Sequence, residues 1–396
     1  MDDVHAKRWP VIAGLGTTQT LAWASSYYLI AILAPAMARD TESSQTGVFA
    51  AFSASLLISA MLGPRVGRTI DRFGGREVLG VSNLLFAAGL GLLALAHTLP
   101  MLWLGWLVIG AAMGLGLYDS AFATLGRMYG QAARSAITGI TLIAGFASTV
   151  GWPLTAWGEA TLGWRGTCAA WAIAHIALGL PLNLLLLPKL RTGVAGATAS
   201  EKPDVPMDRS MWLLGFAFAA GWFVATAMAA HLPRLLEAAG ATTTQAIGAA
   251  ALIGPAQVAA RVLEARFLSR FHPIVSARLS MLTHPIGAAL LLAGGGLFAM
   301  PFALLHGAGN GILTIARGTV PLAVFGPENY GYRLGLIGPP ARILQAGAPI
   351  AFGILIDQYG AQALLASSCL SLAATGALLV VAARTHGAPP GTGGLR

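Results

Sequence analysis

Four residues with a formal charge, one aspartate and three arginines, lie well inside long apolar stretches of the sequence. Asp119 lies in MGLGLYDSAF, Arg261 in GPAQVAARVLEAR, Arg317 in LTIARGTVP and Arg342 in GPPARILQAGAP. Placing such a group in hydrocarbon costs at least about 2.5–3.5 kcal/mol, so each residue marks a candidate functional site. A guanidinium binds a carboxylate through two parallel hydrogen bonds, and a carboxylate can take up a proton or hold a guanidinium.

The composition indicates that these residues belong to a membrane protein. Of the 396 residues, 56% are hydrophobic and 10% are charged, whereas soluble domains carry about 25% charged residues. A bilayer is therefore the expected solvent. The net charge of +9 comes from basic residues that are dispersed among short loops, which argues against nucleic acid as a partner. Cys168 and Cys369 both lie in apolar segments, so we expect neither a disulfide nor a metal site.

Twelve apolar stretches are long enough to cross a bilayer, which takes about 20 helical residues. The predicted spans are 10–34, 46–66, 77–97, 101–125, 135–158, 166–188, 211–234, 245–267, 273–295, 298–322, 334–357 and 361–383. We number them 1 to 12 in chain order. The fold class expected is therefore an all-α integral membrane protein.

A polar segment that contains two prolines divides these spans into equal sets. We predict an N-terminal six-helix bundle at 1–188, a cytoplasmic linker at 189–209 and a C-terminal six-helix bundle at 210–396. The halves share several residues at an offset near 196–198, among them Pro35 and Pro233. Equal halves that resemble each other are typical of transporters with internal repeats.

Basic residues predict the orientation of the chain in the membrane. If the termini and the even-numbered loops are cytoplasmic, eighteen Lys and Arg residues lie inside, and only Arg39, Arg165 and Arg234 lie outside. Both termini are therefore expected in the cytoplasm, with the bacterial inner membrane as the location. The N-terminal MDDVHAKRWP shows no signal-peptide cleavage pattern, so the first span is expected to be retained.

A stretch rich in glycine and arginine joins spans 2 and 3, and residues 67–76 read GRTIDRFGGR. It resembles the G-x-x-x-D-R-x-G-R-[RK] loop motif of the major facilitator superfamily, whose members are transporters with two six-helix bundles. The sequence departs from the pattern at Gly75, where that family usually has a basic residue. The resemblance implies that the motif locks helices on the cytoplasmic side and stabilises the outward-open state. It assigns conformational switching, and no substrate contact, to Gly67, Asp71, Arg72, Gly74 and Arg76.

Two interpretations of the four charges in the apolar spans remain open. In the first, the arginines project into a central cavity and bind an anionic solute, while Asp119 acts as a proton-binding or ion-pair switch. In the second, Asp119 pairs permanently with Arg317 or Arg342 and forms a gate on the cytoplasmic side.

Span 8 carries a second resemblance. Gln257 and Arg261 are four residues apart and share one helix face, which resembles the Asp-x-x-x-Arg pair of monocarboxylate transporters with the acid replaced by an amide. That resemblance implies that Arg261 binds a carboxylate. Oxalate/formate-type antiporters also place basic residues on helices 8 and 11, and Arg261 and Arg342 match those places. Local neutralisation of Arg261 by Glu264 remains the alternative.

Other polar and aromatic residues in the spans are candidate substrate contacts. Gln345 follows Arg342 by one helical turn, and Asn310 lies among glycines in span 10. Trp23 and Tyr27 lie four apart in span 1, a helix that lines the cavity in the resembled fold. Core packing is the competing interpretation for the two aromatic residues.

These residues predict a secondary transporter of a small organic anion. Transport is expected by alternating access, coupled to protons or to exchange with a counter-solute, in a protein that is monomeric. A multidrug–proton antiporter on the same fold is the alternative, although Trp106 stands where such proteins usually have an arginine. A sensor or scaffold without transport is a third possibility. The chain has no G-x-x-x-x-G-K-[ST] phosphate loop and no catalytic arrangement, so we expect no enzyme, no cofactor and no metal.

Overall fold

The computed structural model describes residues 8–189 and 203–387, with side chains described as far as 383. The described residues form helices and short connections, without a strand. Residues 1–7 and 388–396, and most of the predicted linker 189–209, lie outside the described residues.

The described residues of the first half form nine α-helical segments. They are α1 (Arg8–Ala24), α2 (Leu29–Asp40), α3 (Gln45–Phe73), α4 (Arg76–Ala94), α5 (Leu99–Gly116), α6 (Tyr118–Tyr129), α7 (Ala133–Ala144), α8 (Ala147–Ala174) and α9 (Leu180–Leu186). Of these, α8 has a kink at Gly163 that divides it into two helices. A π-helical turn, His175–Gly179, joins α8 to α9.

The second half continues with α10 (Arg209–Ala238), α11 (Thr243–Leu263), α12 (Pro273–Gly294), α13 (Ala299–Phe325), α14 (Tyr330–Tyr359) and α15 (Ala363–Gly387). A π-helical turn, Glu264–Leu268, extends α11. The long helices of this half run without the interruptions that are found in the first half.

Eight helical stretches among the described residues are long and apolar enough to cross a membrane. Three of them, Leu99–Leu186, Pro273–Phe325 and Tyr330–Ala383, have 88, 53 and 54 residues, far more than the roughly 20 that one crossing needs. Predicted spans 4 to 6, 9 and 10, and 11 and 12 fall within them. The number of twelve spans and the cytoplasmic location of both termini stay predictions.

Glycines with positive φ break the longest stretch where the sequence predicts loops. Gly130 has φ 54° and Gly163 has φ 69°, a backbone region that is open to glycine because it lacks a Cβ atom. Each of them therefore lets the chain leave one helix and start the next.

Three predicted spans are interrupted where the sequence analysis expected continuous helix. Span 1 breaks at residues 25–28, span 4 at Leu117 and span 5 at 145–146. In span 1 the Tyr28 amide donates to the Trp23 carbonyl, five residues back, which is a π-type bulge. Side chains satisfy the carbonyl groups that such breaks release, as when Gln19 Nε2 donates to the Gly116 carbonyl at 2.6 Å.

Two compact units make up the chain. Unit 1 comprises Met1–Val205 and Phe325–Ala346, and unit 2 comprises Pro206–Val324 and Gly347–Arg396. Each has its own apolar core, in which Phe86 and Trp106 are buried in unit 1 and Phe302 and Phe352 in unit 2. These large side chains fill the interior of each unit, where close van der Waals packing holds membrane helices together.

Small residues allow a close helix crossing in unit 1. A Cβ on Gly110 would lie 2.5 Å from the Ser55 carbonyl oxygen, and a Cβ on Gly114 would lie 3.2 Å from that of Ser59. Helices α3 and α5 therefore touch backbone to backbone, as membrane helices do where small residues repeat every four positions.

Unit 2 contains a similar crossing between α11 and α13. A Cβ on Gly307 would lie 2.8 Å from the Ile253 carbonyl oxygen, and one on Gly311 would lie 2.4 Å from that of Gln257. The two crossings place Ser59 and Gln257 at corresponding positions.

Candidate functional site

The motif residues 67–73 are helical and do not form a loop. Helix α3 continues to Phe73, and only Gly74 and Gly75 separate it from α4. The expectation that Asp71 and Arg72 stand in a short loop was therefore wrong. The helix runs on because no residue before Gly74, which has φ 86°, stops its hydrogen-bond pattern.

Asp71 caps the first turn of α14. Its Oδ1 accepts a hydrogen bond from the Gly331 amide, and its Oδ2 accepts one from the Tyr332 amide, both at 2.8 Å. The first amides of a helix have no partner within the helix and carry partial positive charge, so a carboxylate stabilises them. Asp71 thus fixes the start of α14 to the end of α3.

Paired glycines bring α3 and α14 into contact beside this cap. A Cβ on Gly67 would lie 2.0 Å from the Gly331 carbonyl oxygen, and a Cβ on Gly335 would lie 2.4 Å from that of Gly63. The motif glycine Gly67 therefore permits a backbone contact with α14. Sequence reasoning missed Gly331 and Gly335, although GYRLG at 331–335 is a small-xxx-small signal.

The remaining motif residues act at the start of α4 and at the end of α9. Arg76 Nε donates to the Leu184 carbonyl at 2.7 Å, so its cation sits at the carboxyl end of a helix, where positive charge is favourable. Arg72 lies half-buried on the last turn of α3. A Cβ on Gly75 would lie 1.8 Å from Thr124 Oγ1, which explains why glycine replaces the basic residue of the family pattern.

Asp119 and Arg342 form an ion pair in unit 1. Arg342 Nη2 lies 2.9 Å from Asp119 Oδ2, and the side chains are 11% and 16% exposed. Arg342 Nη1 also donates to Ser59 Oγ. Gln345, one turn further along α14, is 8% exposed. The structure thus brings together a carboxylate, a guanidinium and a hydroxyl from α6, α14 and α3.

Arg261 lies buried at the α11–α13 crossing of unit 2. It is 5% exposed, its Nε donates to the Gly311 carbonyl at 3.3 Å, and its Nη2 donates to Thr314 Oγ1 at 3.4 Å. Both bonds are longer than the usual 2.9 Å or so. Gln257, one turn earlier, is half-buried and packs its backbone against Gly311.

Glu264 lies three residues beyond Arg261, on the π-helical turn. It is fully buried and accepts a hydrogen bond from Ser276 Oγ at 3.1 Å. This carboxylate and the Arg261 guanidinium place opposite charges near one end of α11.

Arg317 and Asn310 occupy other parts of α13. The Arg317 guanidinium carbon lies 5.6 Å from the ring centre of Trp222, a cation–π distance. Asn310 lines a small cavity of about 20 Å³ within unit 2, together with His306, Thr283 and Ser280. A cavity of this size has room for about one water-sized group.

Trp23 and Tyr27 belong to an aromatic cluster at the break in span 1. The ring centre of Trp23 lies 5.4 Å from that of Tyr27, 6.2 Å from Tyr28 and 5.2 Å from Tyr118. Tyr118 is the first residue of α6 and directly precedes Asp119. The two predicted aromatic contacts therefore lie beside the helix that carries Asp119.

Within the described residues, no group of three or more His, Cys, Asp or Glu side chains could hold a metal ion. The site comprises instead two parts within their own units, one around Asp119 and Arg342 and the other around Arg261.

The chain resembles solved transporters in its fold. The structure of a variant of the E. coli fucose:proton symporter FucP has a TM-score of 0.69 and 16% sequence identity, covering 94% of this chain and 98% of that one. The proton:xylose symporter XylE, bound to 6-bromo-6-deoxy-D-glucose, has a TM-score of 0.68 and 14% identity, covering 95% of this chain and 96% of that one.

A relative without a known function matches in sequence. The uncharacterized 38 kDa protein in the 23S RNA operon of Thermoproteus tenax is 26% identical over 349 residues, which is 88% of this chain and 89% of that protein.

The family model described as "Major Facilitator Superfamily" matches residues 15–339. The matched range contains α3 with its motif and both helix crossings. The chain is therefore an integral membrane transporter and not an enzyme, and it belongs to the major facilitator superfamily.

Proposed function

We propose that this protein is a secondary transporter of a small organic anion and that Arg342 binds the carboxylate group of its substrate. The Asp119–Arg342 pair carries the proposal. A carboxylate already lies 2.9 Å from the Arg342 guanidinium, in a largely buried position where charge-assisted hydrogen bonds are strong. A substrate carboxylate would compete with Asp119 for the same donors.

Protonation of Asp119 would couple the anion to a proton. A protonated Asp119 loses the charge that attracts Arg342, so the guanidinium becomes available to an external carboxylate. Anion and proton would then bind together and cross together. The two-state element would be the first half of α14, which carries Arg342 and which Asp71 caps at its start.

Arg261 is proposed as a second anion-binding group. It is a buried cation at the α11–α13 crossing, and a substrate carboxylate would form charge-assisted hydrogen bonds with its guanidinium. Gln257 and Asn310 lie on the same two helices and would contact polar parts of the substrate. Arg317 and Gln345 are proposed as weaker contributors, because Arg317 packs on Trp222 and Gln345 lies one turn beyond Arg342.

The proposed setting is the bacterial inner membrane, with a monomer that works by alternating access and both termini in the cytoplasm. The basic residues of the predicted cytoplasmic loops support this orientation. The proposed bundles at 1–188 and 210–396, with their linker at 189–209, would be the two repeats.

Proton-coupled sugar transport is a second candidate function. It is favoured by the similar structures, which are titled a fucose:proton and a proton:xylose symporter, and by the aromatic cluster around Trp23. Aromatic faces pack well against sugar rings, whereas buried guanidinium groups favour anions.

The test is uptake into proteoliposomes of matched labelled solutes. Gluconate and glucose differ in charge and share hydroxyl groups, and a lipophilic cation tests the multidrug alternative. We expect uptake of the anion, a gain when the outside is made acidic, and a loss of 10-fold or more in Arg342→Ala, because charge-assisted bonds contribute about 1.5–3 kcal/mol.

Asp119→Asn separates coupling from binding. This variant should lose the response to a pH gradient and keep exchange of labelled for unlabelled anion, because the amide cannot take up the coupling proton. Uptake of glucose in preference to every anion tested, or full anion uptake in Arg342→Ala, would contradict the proposed function.

A further inference from the structure

Two buried polar groups on α1 face the break between α5 and α6. Gln19 is 1% exposed, and its Oε1 accepts no hydrogen bond among the described residues. Trp23 Nε1 is likewise buried and donates none. Buried polar groups nearly always have a partner, so two orphaned groups on one helix require an explanation.

The orientation of the Gln19 amide is fixed by its neighbour. Gln19 Nε2 donates to the Gly116 carbonyl at 2.6 Å. If the amide were reversed, two oxygen atoms would face each other at that distance, which is repulsive. The amide oxygen is therefore the atom without a hydrogen-bond partner among the described residues. The Gln19 side chain lies beside Gly116, the last residue of α5, which is followed by the extended Leu117.

The orphaned acceptor and the orphaned donor share one face of α1. Gln19 and Trp23 are four residues apart, which places their side chains one above the other, with Cβ atoms about 5–6 Å apart. Trp23 contacts Tyr118, the residue after the same break, with ring centres 5.2 Å apart. Both groups therefore belong to one place, where α1 meets the interrupted span 4.

This place has the features of a built binding site. Irregular backbone within a membrane span is tolerated where it is buried in protein or lines a cavity, and interrupted helices mark binding sites in transporters. Aromatic rings lie beside it, and the cluster continues from Tyr28 to Trp152 with ring centres 5.6 Å apart. Asp119, whose carboxylate pairs with the Arg342 guanidinium, directly follows Tyr118 in the sequence.

We propose that Gln19 and Trp23 form a hydroxyl-binding subsite, and that the transported anion is a hydroxycarboxylate. This inference rests on the proposed function, because the carboxylate of the same molecule would bind Arg342. A hydroxyl group donates one hydrogen bond and accepts others, so it satisfies Gln19 Oε1 and Trp23 Nε1 at once.

Other chemical groups fit this pair less well. A carboxylate would face the Gln19 oxygen with like partial charge, and an ammonium group offers nothing to the Trp23 donor. A methyl or methylene group would leave both groups unsatisfied. A site that is built to hydrogen-bond a hydroxyl rejects the analogue without it strongly, because its own buried polar groups then lose their partners.

The experiment compares lactate with propionate, which differ by one hydroxyl group. Competition and uptake are measured in proteoliposomes for the wild type, Trp23→Phe, Gln19→Leu and the control Trp106→Phe. Trp106 Nε1 is also buried without an acceptor among the described residues, but Trp106 lies in the core beside Phe52, with ring centres 5.4 Å apart.

We expect the wild type to prefer lactate over propionate by 10-fold or more. Trp23→Phe keeps an aromatic ring and removes the donor, so it should lower that preference about 10-fold. Gln19→Leu should act in the same direction, and Trp106→Phe should keep the wild-type preference.

The outcomes separate the subsite from the proposed function. Uptake of lactate and propionate at equal rates by the wild type would overturn the subsite and leave anion transport standing. A preference that persists in both Trp23→Phe and Gln19→Leu would also overturn it, and would assign the two groups to an ordered water. Absence of uptake of either anion, with glucose transported, would overturn the proposed function itself.

Discussion

The α3–α5 crossing of unit 1 and the α11–α13 crossing of unit 2 share one packing pattern and differ in charge. Gly110 and Gly114 touch Ser55 and Ser59 in the first, and Gly307 and Gly311 touch Ile253 and Gln257 in the second. The corresponding residues are separated by the same offset of 196–198 that relates the two halves of the sequence. The backbone contact is therefore the repeated element, which supports an internal duplication.

The charged residues near the two crossings have diverged at that same offset. Gly63 corresponds to Arg261. In unit 1 the small residue lets α14 approach, and the Asp119 carboxylate holds Arg342. In unit 2 a buried guanidinium occupies the place of the glycine. The same backbone crossing therefore lies beside the α3–α14 contact in unit 1 and beside a candidate anion-binding group, Arg261, in unit 2.

The largest effect is expected from removing the unit 2 guanidinium. Arg261→Ala should lower anion uptake about 10- to 100-fold, because charge-assisted hydrogen bonds contribute about 1.5–3 kcal/mol. Arg261→Lys should retain only part of the wild-type anion uptake, since lysine keeps the charge and lacks the planar guanidinium that binds a carboxylate through two hydrogen bonds. The measurement is initial uptake in proteoliposomes, with the exposed Arg266→Ala as the control. Equal uptake in Arg261→Ala and Arg266→Ala would remove Arg261 from binding.

Adding a methyl group to either crossing should destabilise the protein. Gly110→Ala and Gly311→Ala each place a Cβ within 2.5 Å of a facing carbonyl oxygen, so we expect losses of about 1–3 kcal/mol from overpacking. Thermal unfolding in detergent measures this loss. Gly91→Ala and Gly254→Ala are matched controls, because nothing lies within 4 Å of the added atom. If one of the two variants unfolded at the wild-type temperature, the two crossings would not be equivalent.

Removing the Asp71 cap tests how strongly the start of α14 is held to the end of α3. Asp71→Asn replaces one acceptor oxygen with a donor, so the first turn of α14 should loosen by about 1–2 kcal/mol. Hydrogen exchange of the amides of Gly331 and Tyr332 should accelerate accordingly. In unit 2 the corresponding position is Ser269, and Ser269→Ala should leave exchange at these amides unchanged. Unchanged exchange in Asp71→Asn would show that other contacts hold α14.

The smallest effect concerns the departure from the family motif. Gly75→Lys restores the basic residue but drives its Cβ into Thr124, so we expect a loss of about 1 kcal/mol in stability. The double variant with Thr124→Ala should regain part of that loss, because two of the crowding atoms are removed. Thermal unfolding of the wild type, the two single variants and the double variant in a double-mutant cycle measures the coupling. Independent effects of the two changes would reject the steric explanation.

The sequence predicted a helical membrane protein and its family, because apolar length and the 67–76 pattern are local signals. It also singled out Asp119 and Arg342, since charges stand out in apolar stretches. It left their partners open, because the pairing depends on which residues the fold brings together. Ser59 had no signal of this kind, being one of many small polar residues in a helix.

The interruptions at residues 25–28 and at Leu117 could not be predicted in the same way. Both places lie inside long stretches that are mostly apolar, and no proline marks them. The breaks depend on side chains from other helices, such as Gln19, that take up the released carbonyl groups. Such breaks form only when the helices pack together, so the sequence of one helix alone does not predict them.

The cap that Asp71 places on α14 also sets an order for biosynthesis. The two partners are 260 residues apart in the chain, so at ribosomal rates of about 5–20 residues per second Asp71 emerges roughly 13–50 s before Gly331. During that interval its carboxylate has no α14 amides to bind. A nascent chain truncated before residue 330 would therefore lack the two hydrogen bonds that join the end of α3 to α14.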